Sequence, residues 1–266
     1  MALQTSGAIS LNDIHVEAGG SSGTNCTIND SDIRGLISKG SGATMSFNEW
    51  YGASAYTPAS FVGSATLTFA SLGAWSSSNR LNLTGAGVQN GDLVVIAMSW
   101  DNSMNSNLQI TGISNLTLLY NGQTYGSPSY VVAYGYWQSG DSNPYSANTN
   151  TFQFFFNVVG AIFRNTNTSL LNSATASSST GMPNPPSLAS ASGTKIIIAT
   201  GHLDDDSVLM TAGAGYSLAG NVTWSSGFQR SSTAIQYKIT STSTTENPPA
   251  FGGGFSDASW ASTLRF

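Results

Sequence analysis

With 266 residues, the chain has room for one large or two ordinary domains, and 40% hydrophobic and 11% aromatic residues supply a core. Only 8% of the residues are charged, the net charge is −5, and the eight Lys and Arg are scattered singly from Arg34 to Arg265. That excludes a basic stripe for phosphates, so nucleic acid is not an expected partner. The single cysteine, Cys26, excludes an internal disulfide and a cysteine-based zinc site.

Residues 1–55 repeat one pattern three times: apolar residue, capping residue, two spacers, acid, apolar residue. It reads Ile9-Ser10-Leu11-Asn12-Asp13-Ile14, then Ile28-Asn29-Asp30-Ser31-Asp32-Ile33, then Met45-Ser46-Phe47-Asn48-Glu49-Trp50. Each copy fits a helix start, with Ser10, Asn29 or Ser46 at the N-cap. Ser46 and Glu49 predict a capping box, and Met45 with Trp50 its hydrophobic staple. The second helix places Ile33, Leu36 and Ile37 on one face and stops at Gly40. Three helices of one or two turns are too small to bury a core of their own. The unit is therefore expected to dock onto another protein, with Ile33, Leu36, Ile37, Trp50 and Tyr51 as its anchoring side chains. The stretch Ala53–Ser60, with Pro58, reads as a linker.

From Phe61 onward the period is that of strands. Ala65–Ala70, Asp92–Ser99, Ser129–Gln138, Thr151–Phe163, Lys195–Thr200, Ser232–Thr240 and Ala258–Phe266 are rich in Val, Ile, Thr and aromatics. Turn dipeptides such as Asn90-Gly91 and Asn121-Gly122 separate them. No amphipathic helix intervenes, so the predicted class is mainly β: a mini-helical module followed by an antiparallel, jelly-roll-like β-sandwich over residues 60–266. Leu93–Met98 and Ile196–Ala199 are continuous apolar runs, which predicts central strands covered on both faces. The stretch Asn172–Ser192, rich in Ser, Thr and Pro, reads as a long surface loop.

Gly91–Asn102 (GDLVVIAMSWDN) resembles Gly193–Asp204 (GTKIIIATGHLD), 102 residues later. Each is followed by a strand with aromatics (Tyr130, Tyr134 and Tyr136; Tyr237) and by an apolar strand ending near Arg164 or Arg265. The shared order is firmer than the residue match. It fits two echoing halves, 60–164 and 165–266, of one sandwich or two small sandwiches in tandem, and a single domain of this size being common for the class favours one sandwich.

Chemistry is sparsely signalled. His202 is followed by Asp204, Asp205 and Asp206, but no Gly-x-Ser-x-Gly elbow accompanies it, and acids adjacent in sequence do not orient a histidine. Nothing marks a carboxylate pair for glycoside hydrolysis among Asp92, Asp101, Asp141, Asp204–Asp206, Glu246 and Asp257. No catalytic residue and no cofactor is assigned. Asp204, Asp205 and Asp206 offer the oxygen ligands calcium takes, but without an EF-hand-like alternation with Gly they fit a solvated turn with a capping role better. Ligand contact by a β-scaffold concentrates on loops held by the sheets. The candidates are Trp100, Asp101 and Asn102 after the first apolar run, His202 after the second, and Trp137 before Ser139-Gly140-Asp141.

Two stretches resemble known proteins. Ser6–Ser54 resembles an N-terminal module recurrent in structural proteins of tailed bacteriophages, especially those of marine bacteria. The segments Asp32-Ile33-Arg34-Gly35-Leu36-Ile37 and Phe47-Asn48-Glu49-Trp50-Tyr51-Gly52 are its most specific parts. The remainder resembles a β-sandwich of phage tail-associated and host-interaction proteins. The matching residues are Gly181-Met182-Pro183-Asn184-Pro185-Pro186, Asp204-Asp205-Asp206, and Phe251–Asp257 with Trp260.

The resemblance implies a non-enzymatic virion structural protein. On this reading it is a tail fibre or tail-tip component that meets other virion proteins through residues 1–55 and a host-surface glycan or protein through the sandwich. Tail appendages are often homotrimers, although no coiled-coil heptad is present here. The alternatives are a capsid or tail decoration (cement) protein and, more remotely, a glycan-degrading tail enzyme. Met1–Ser10 has no positive end or long apolar stretch, so no signal peptide is expected, and no run approaches about 18 apolar residues, so no membrane insertion is expected. Synthesis in the host cytoplasm and location in the virion agree with both.

Overall fold

A computed structural model of the chain describes residues 2–53, 59–71, 80–101, 110–122, 129–146, 154–166, 170–191, 195–204, 208–226, 229–240, 244–254 and 258–266. It forms two units, Met1–Pro58 and Ala59–Phe266.

In the first unit, helix α1 (Leu11–Glu17) starts on a complete capping box. The Asp13 amide donates to Ser10 Oγ at 3.1 Å, and the Ser10 amide donates to the Asp13 carboxylate at 2.8 Å. Helix α2 (Ser31–Gly35) starts one residue later than expected, on Asp30. The Asp30 carboxylate is held by the Thr27 amide at 2.8 Å and hydroxyl at 2.7 Å. Asn29 instead accepts from Arg34 Nη1 at 3.0 Å. Phe47–Trp50 is a 3-10 helix, and the capping box expected at Ser46 and Glu49 does not form. Ser46 Oγ bonds the Asn48 side chain, while Glu49 pairs with Lys39 at 3.3 Å.

This small unit has its own core, contrary to the expectation that it could not. Ile14, Ile33 and Trp50 are wholly buried, Leu3 nearly so, and the Trp50 indole donates to the Ile33 carbonyl at 3.0 Å. Two backbone bonds tie the ends of the unit together, Leu3 N–H to the Ala53 carbonyl at 2.9 Å and Gly52 N–H to the Gln4 carbonyl at 3.1 Å. The guanidinium of Arg34, itself buried, donates to the carbonyls of Gly40 at 3.0 Å and Ala43 at 3.1 Å, knitting in the following loop. Two of the expected anchors are thereby corrected. Ile33 and Trp50 face inward, because an apolar side chain this large is most stable where the unit excludes water from it. Leu36 and Ile37 pack half-buried against the same core, and Tyr51 is exposed.

The second unit is the expected antiparallel sandwich. Its first half supplies β1 (Ser60–Ser71), β2 (Leu93–Asp101), β3 (Ile110–Thr111), β4 (Thr117–Gly122), β5 (Ser129–Tyr136), β6 (Tyr145–Ser146) and β7 (Phe154–Arg164). The second supplies β8 (Asn172–Ser178), β9 (Lys195–Asp204), β10 (Ser217–Ser226), β11 (Gln229–Thr240) and β12 (Ser259–Arg265). One sheet runs β1-β7-β2-β5-β4, the other β10-β11-β9-β12-β8, and β3 pairs with β6 apart from both. Each half thus completes a sheet, and successive strands do not pass between the sheets.

The two continuous apolar runs are the middle strands, β2 and β9. Leu93, Val95 and Ala97 meet Ile196, Ile198 and Ile235 in the interior. On the outer face of the first sheet, Val94, Ile96 and Met98 lie under Leu81, Leu83 and Ile113. Leu203 and Ala234, on the outer face of the second, lie under Met210 and Phe251. Phe251 sits so close to β9 that a Cβ on Gly201 would come within 2.7 Å of its ring.

Residues 172–192, read as a surface loop, are corrected in two ways. Asn172–Ser178 is the edge strand β8, and Pro183, Pro185 and Leu188 are buried. Thr263 Oγ1 donates to the Pro186 carbonyl at 2.6 Å, and Leu188 exchanges backbone bonds with Glu246 at 2.8 and 3.1 Å. The prolines remove donors that this covering segment has no ladder to satisfy.

The core of the first unit gives a direct prediction. Trp50→Ala removes its largest buried side chain, at a cost of about 3–5 kcal/mol. Amide hydrogen exchange in residues 2–53 should lose its protection, while residues 59–266 keep theirs. Unchanged protection in residues 2–53 would mean that Trp50 is not a core residue.

Candidate functional site

The interior of the sandwich changes chemistry along its strands. The inward residues of β2 run Leu93, Val95, Ala97 and then Ser99; those of β9 run Ile196, Ile198 and then Thr200 and His202. From that level to the strand ends the buried groups are polar, and they pair across the gap between sheets. Ser99 Oγ meets Thr233 Oγ1, and the Tyr130 hydroxyl meets Thr200 Oγ1. Asn157 Nδ2 donates to Ser231 Oγ at 2.6 Å and to the Ser231 carbonyl at 2.9 Å. Cross-sheet hydrogen bonds here replace the non-directional packing of the other end with contacts that fix the relative position of the sheets.

His202 lies wholly inside this layer, stacked between the rings of Tyr130 at 6.0 Å and Trp260 at 5.6 Å. Its Nδ1 is 3.0 Å from the Ser232 carbonyl, which can only accept, so Nδ1 carries the proton and Nε2 is the lone-pair nitrogen. Nε2 has no hydrogen-bond partner among the described residues. Burial pushes the imidazole down from 6.5 to about 4, with the Ser232 bond opposing it. The residue is therefore neutral at pH 7. As a ligand contact His202 is corrected: a side chain with no exposed surface is a pin between the sheets.

Residue register places the last residues of β2 and β9 at one end. Ser99 lies opposite Tyr130 in its own sheet, Thr233 lies opposite His202 in the other, and the bond between Ser99 and Thr233 joins the two rows. Trp100 and Asp101 end β2, where the backbone alone is described, and Asp204 ends β9. Asn102, Asp205 and Asp206 lie outside the described residues. Among the described residues, no three His, Cys, Asp or Glu side chains converge to hold a metal ion.

Trp137 is not part of this end. It follows β5 beside the start of β2, where its amide donates to the Asp92 carbonyl at 2.9 Å. Its ring is buried in the outer cluster with Leu81 and Leu83. That far end is closed by an ion pair in which Arg164 Nε and Nη2 lie 2.8 and 2.7 Å from the two Asp92 oxygens. Trp137 is thus a second corrected ligand contact, held inside because the outer face of β2 needs a cover.

Other carboxylates are engaged locally. Asp141 accepts from the amides of Ser114 at 3.0 Å and Gln138 at 2.7 Å, forming a turn. Glu246, buried, pairs with Lys238 at 3.3 Å. Its charge and, more strongly, burial raise the Tyr216 hydroxyl.

Among the described residues of the first unit the exposed large apolar side chains are Val16, Phe47 and Tyr51. A groove of about 450 Å³ runs beside Val16, lined also by Leu3, Ile9, Asp13 and Glu17. Among the described residues no helix is long and apolar enough to cross a membrane.

The sequence did not signal Tyr130, Asn157, Ser231 or Thr233 as site residues. The available signal was the change from aliphatic to hydroxyl residues at every second position, Ala97 to Ser99 and Ile198 to Thr200.

Comparison with protein-family models, curated proteins and solved structures gives no match for this chain.

His202 makes stability pH-dependent with a definite sign. Its proton is bound near pH 6.5 in the unfolded chain and near 4 in the fold, so between those values the unfolded state holds more protons. Its contribution is fully present above about pH 6.5 and is lost as the pH falls toward 4, by roughly 3 kcal/mol in all. Denaturant unfolding of the sandwich at pH 7 and pH 4.5 should show a steeper loss for the wild type than for His202→Phe. Parallel losses in the two proteins would contradict the assignment.

Proposed function

We propose that the chain is a non-enzymatic structural protein of a phage virion, a tail fibre or tail-tip component that attaches through Met1–Pro58 and presents the sandwich to the host surface. The carrying observation is the pairing of two differently built units. One is small, capped and closed on Trp50, with apolar side chains left exposed. The other is a low-charge sandwich whose interior polar groups bond one another across the sheets. A small unit with its core complete and Val16, Phe47 and Tyr51 still outside is suited to docking. These three, and not Ile33 or Trp50, are the residues assigned to the virion contact.

A non-enzymatic role is supported by three carboxylates of the sandwich, each already engaged within the fold. Asp92 is neutralised by Arg164, Asp141 is occupied by backbone amides, and Glu246 faces Lys238. None has the partly solvated, unpaired setting of a general acid or base. The host-facing contact is assigned to the sandwich end at Ser99 and His202, where polar side chains bond across the two sheets.

The test is incorporation. In phage lacking the native copy, the full chain should enter particles, and electron microscopy should find a few copies at the tail. Val16→Arg with Phe47→Arg should lower incorporation at least about tenfold with melting unchanged, since charge on a buried contact costs several kcal/mol. Normal incorporation of that double variant would overturn the docking surface. Hundreds of copies over the capsid would favour a decoration protein.

A further inference from the structure

We infer that the sandwich is a fused two-fold dimer: residues 59–164 and 170–266 are two copies of one five-stranded module, related by an approximate axis along β2 and β9, and their order in the chain is interchangeable. This rests on the interior of the second unit and is independent of the virion reading.

The strand order carries the first part. Numbered within each half and leaving aside the small β3–β6 ladder, the five strands of the first sheet run first, fifth, second, fourth, third. The second sheet, read from β8, runs in the same order. The third strand of each half carries a register shift near its start, between Leu118 and Tyr120 in β4 and between Leu218 and Gly220 in β10.

Register carries the second part. Leu93 pairs with Tyr136 on one side and Phe163 on the other. Ile196 pairs with Ile239 on one side and exchanges backbone bonds with Phe266 on the other, at 3.0 and 3.1 Å. Every member of the second set lies 103 residues after its counterpart, so one shift superposes three adjacent strands. Facing residues agree, since Leu93 and Val95 point inward like Ile196 and Ile198. The echo at 102 residues read from the sequence is corrected by one position, and a one-residue slip would turn every side chain to the wrong face.

Contacts between the sheets carry the third part, because a two-fold predicts them in exchanged pairs. Tyr134 meets Phe266 edge-on at 5.2 Å and 64°. The counterparts, Tyr237 and Phe163, meet edge-on at 5.4 Å and 70°. Ser99 bonds Thr233, and their counterparts His202 and Tyr130 stack. In each pair the two residues have exchanged sheets, as rotation about an axis between β2 and β9 requires. The symmetry is inexact. β10 and β11 lie close over β1, β7 and β2, where a Cβ on Gly220 would come within 2.9 Å of Val159, while Tyr130, Tyr134, Trp260 and Phe266 fill the other side.

The axis brings corresponding strand ends to one rim, Asp101 with Asp204 and Ser99 with His202. A partner at that rim meets two related faces, one from each half. The layer beneath has diverged: Ser99 of the first half answers to His202 of the second, and Tyr130 of the first to Thr233 of the second.

The test is a full-length chain with the halves exchanged: residues 1–58, then 170–266, then 165–169, then 59–164. If the halves are equivalent, the native connection between them spans the new junction as well. The chain should keep native near-ultraviolet circular dichroism and one cooperative transition, lowered by no more than about 10 °C. A second exchanged chain with about ten extra Gly and Ser residues at the junction removes any strain from a short connection. Failure of both chains to show a cooperative transition overturns the inference, and folding of either supports it.

Discussion

The structure of the larger unit depends on the burial of β2 and β9 on both faces. An antiparallel strand with one wet face alternates; these two do not, so each must find a cover outside as well as a partner inside. The inner partner is the other middle strand. The outer covers come from parts of the chain with little regular structure of their own: Leu81, Leu83 and Ile113 over β2, and Met210 and Phe251 over β9. The glycines follow from the same demand. Gly160 and Gly201 lie where Leu81 and Phe251 approach the strands within about the contact distance of a Cβ. Segments that look like loops are therefore part of the packing, and their prolines are compatible with this because they lie outside the ladders.

A chain with so few charges solves its interior unusually. One end of the space between the sheets is filled by aliphatic and aromatic side chains, which specify that the sheets stack but tolerate sliding. The other end holds Ser99, Thr233, Tyr130, Thr200, Asn157 and Ser231, whose bonds have direction. Breaking one leaves a buried group unpaired, so each resists displacement of one sheet along the other. Stability comes from one end and registration from the other. His202 belongs to the second class; its neutral ring stacks between two aromatics and ties to β11 through the Ser232 carbonyl.

Much of this was legible in the sequence, and the illegible parts have identifiable causes. Long apolar runs announced β2 and β9 as middle strands because burial on both faces leaves no alternation to confuse. The N-cap at Ser10 is legible in the sequence, and it closes a capping box with Asp13; the box expected at Ser46 and Glu49 gives way to a 3-10 turn, since Asn48 offers Ser46 a nearer partner. β4, β8 and β10 are not legible, nor are the two-residue β3 and β6, and Asn121-Gly122, read as a turn dipeptide, is the end of β4. Asn172–Ser178 is an edge strand of small polar residues, and Ser217–Ser226 is interrupted by Gly220 and Asn221; neither carries the β-branched enrichment that marks a strand. The halves were legible as an order of elements but not as a residue match. Ile-rich strands resemble one another at any offset, and only hydrogen-bond register separates 102 from 103. Polarity misled the reading of His202 and Trp137, because a polar tip beside an acid suits a rim and a satisfied interior equally well.

The central claim is that the two halves form one cooperative body joined through β2 and β9. Native-state hydrogen exchange with increasing denaturant measures this directly, because amides that open only in global unfolding converge on one free energy. Val94–Met98 and Ile196–Thr200 should be the slowest amides of the chain and should merge into a single isotherm with the same denaturant slope. A lower opening free energy for either strand, with the other still protected, would mean that the halves are separately stable sheets in loose contact, and would contradict the account.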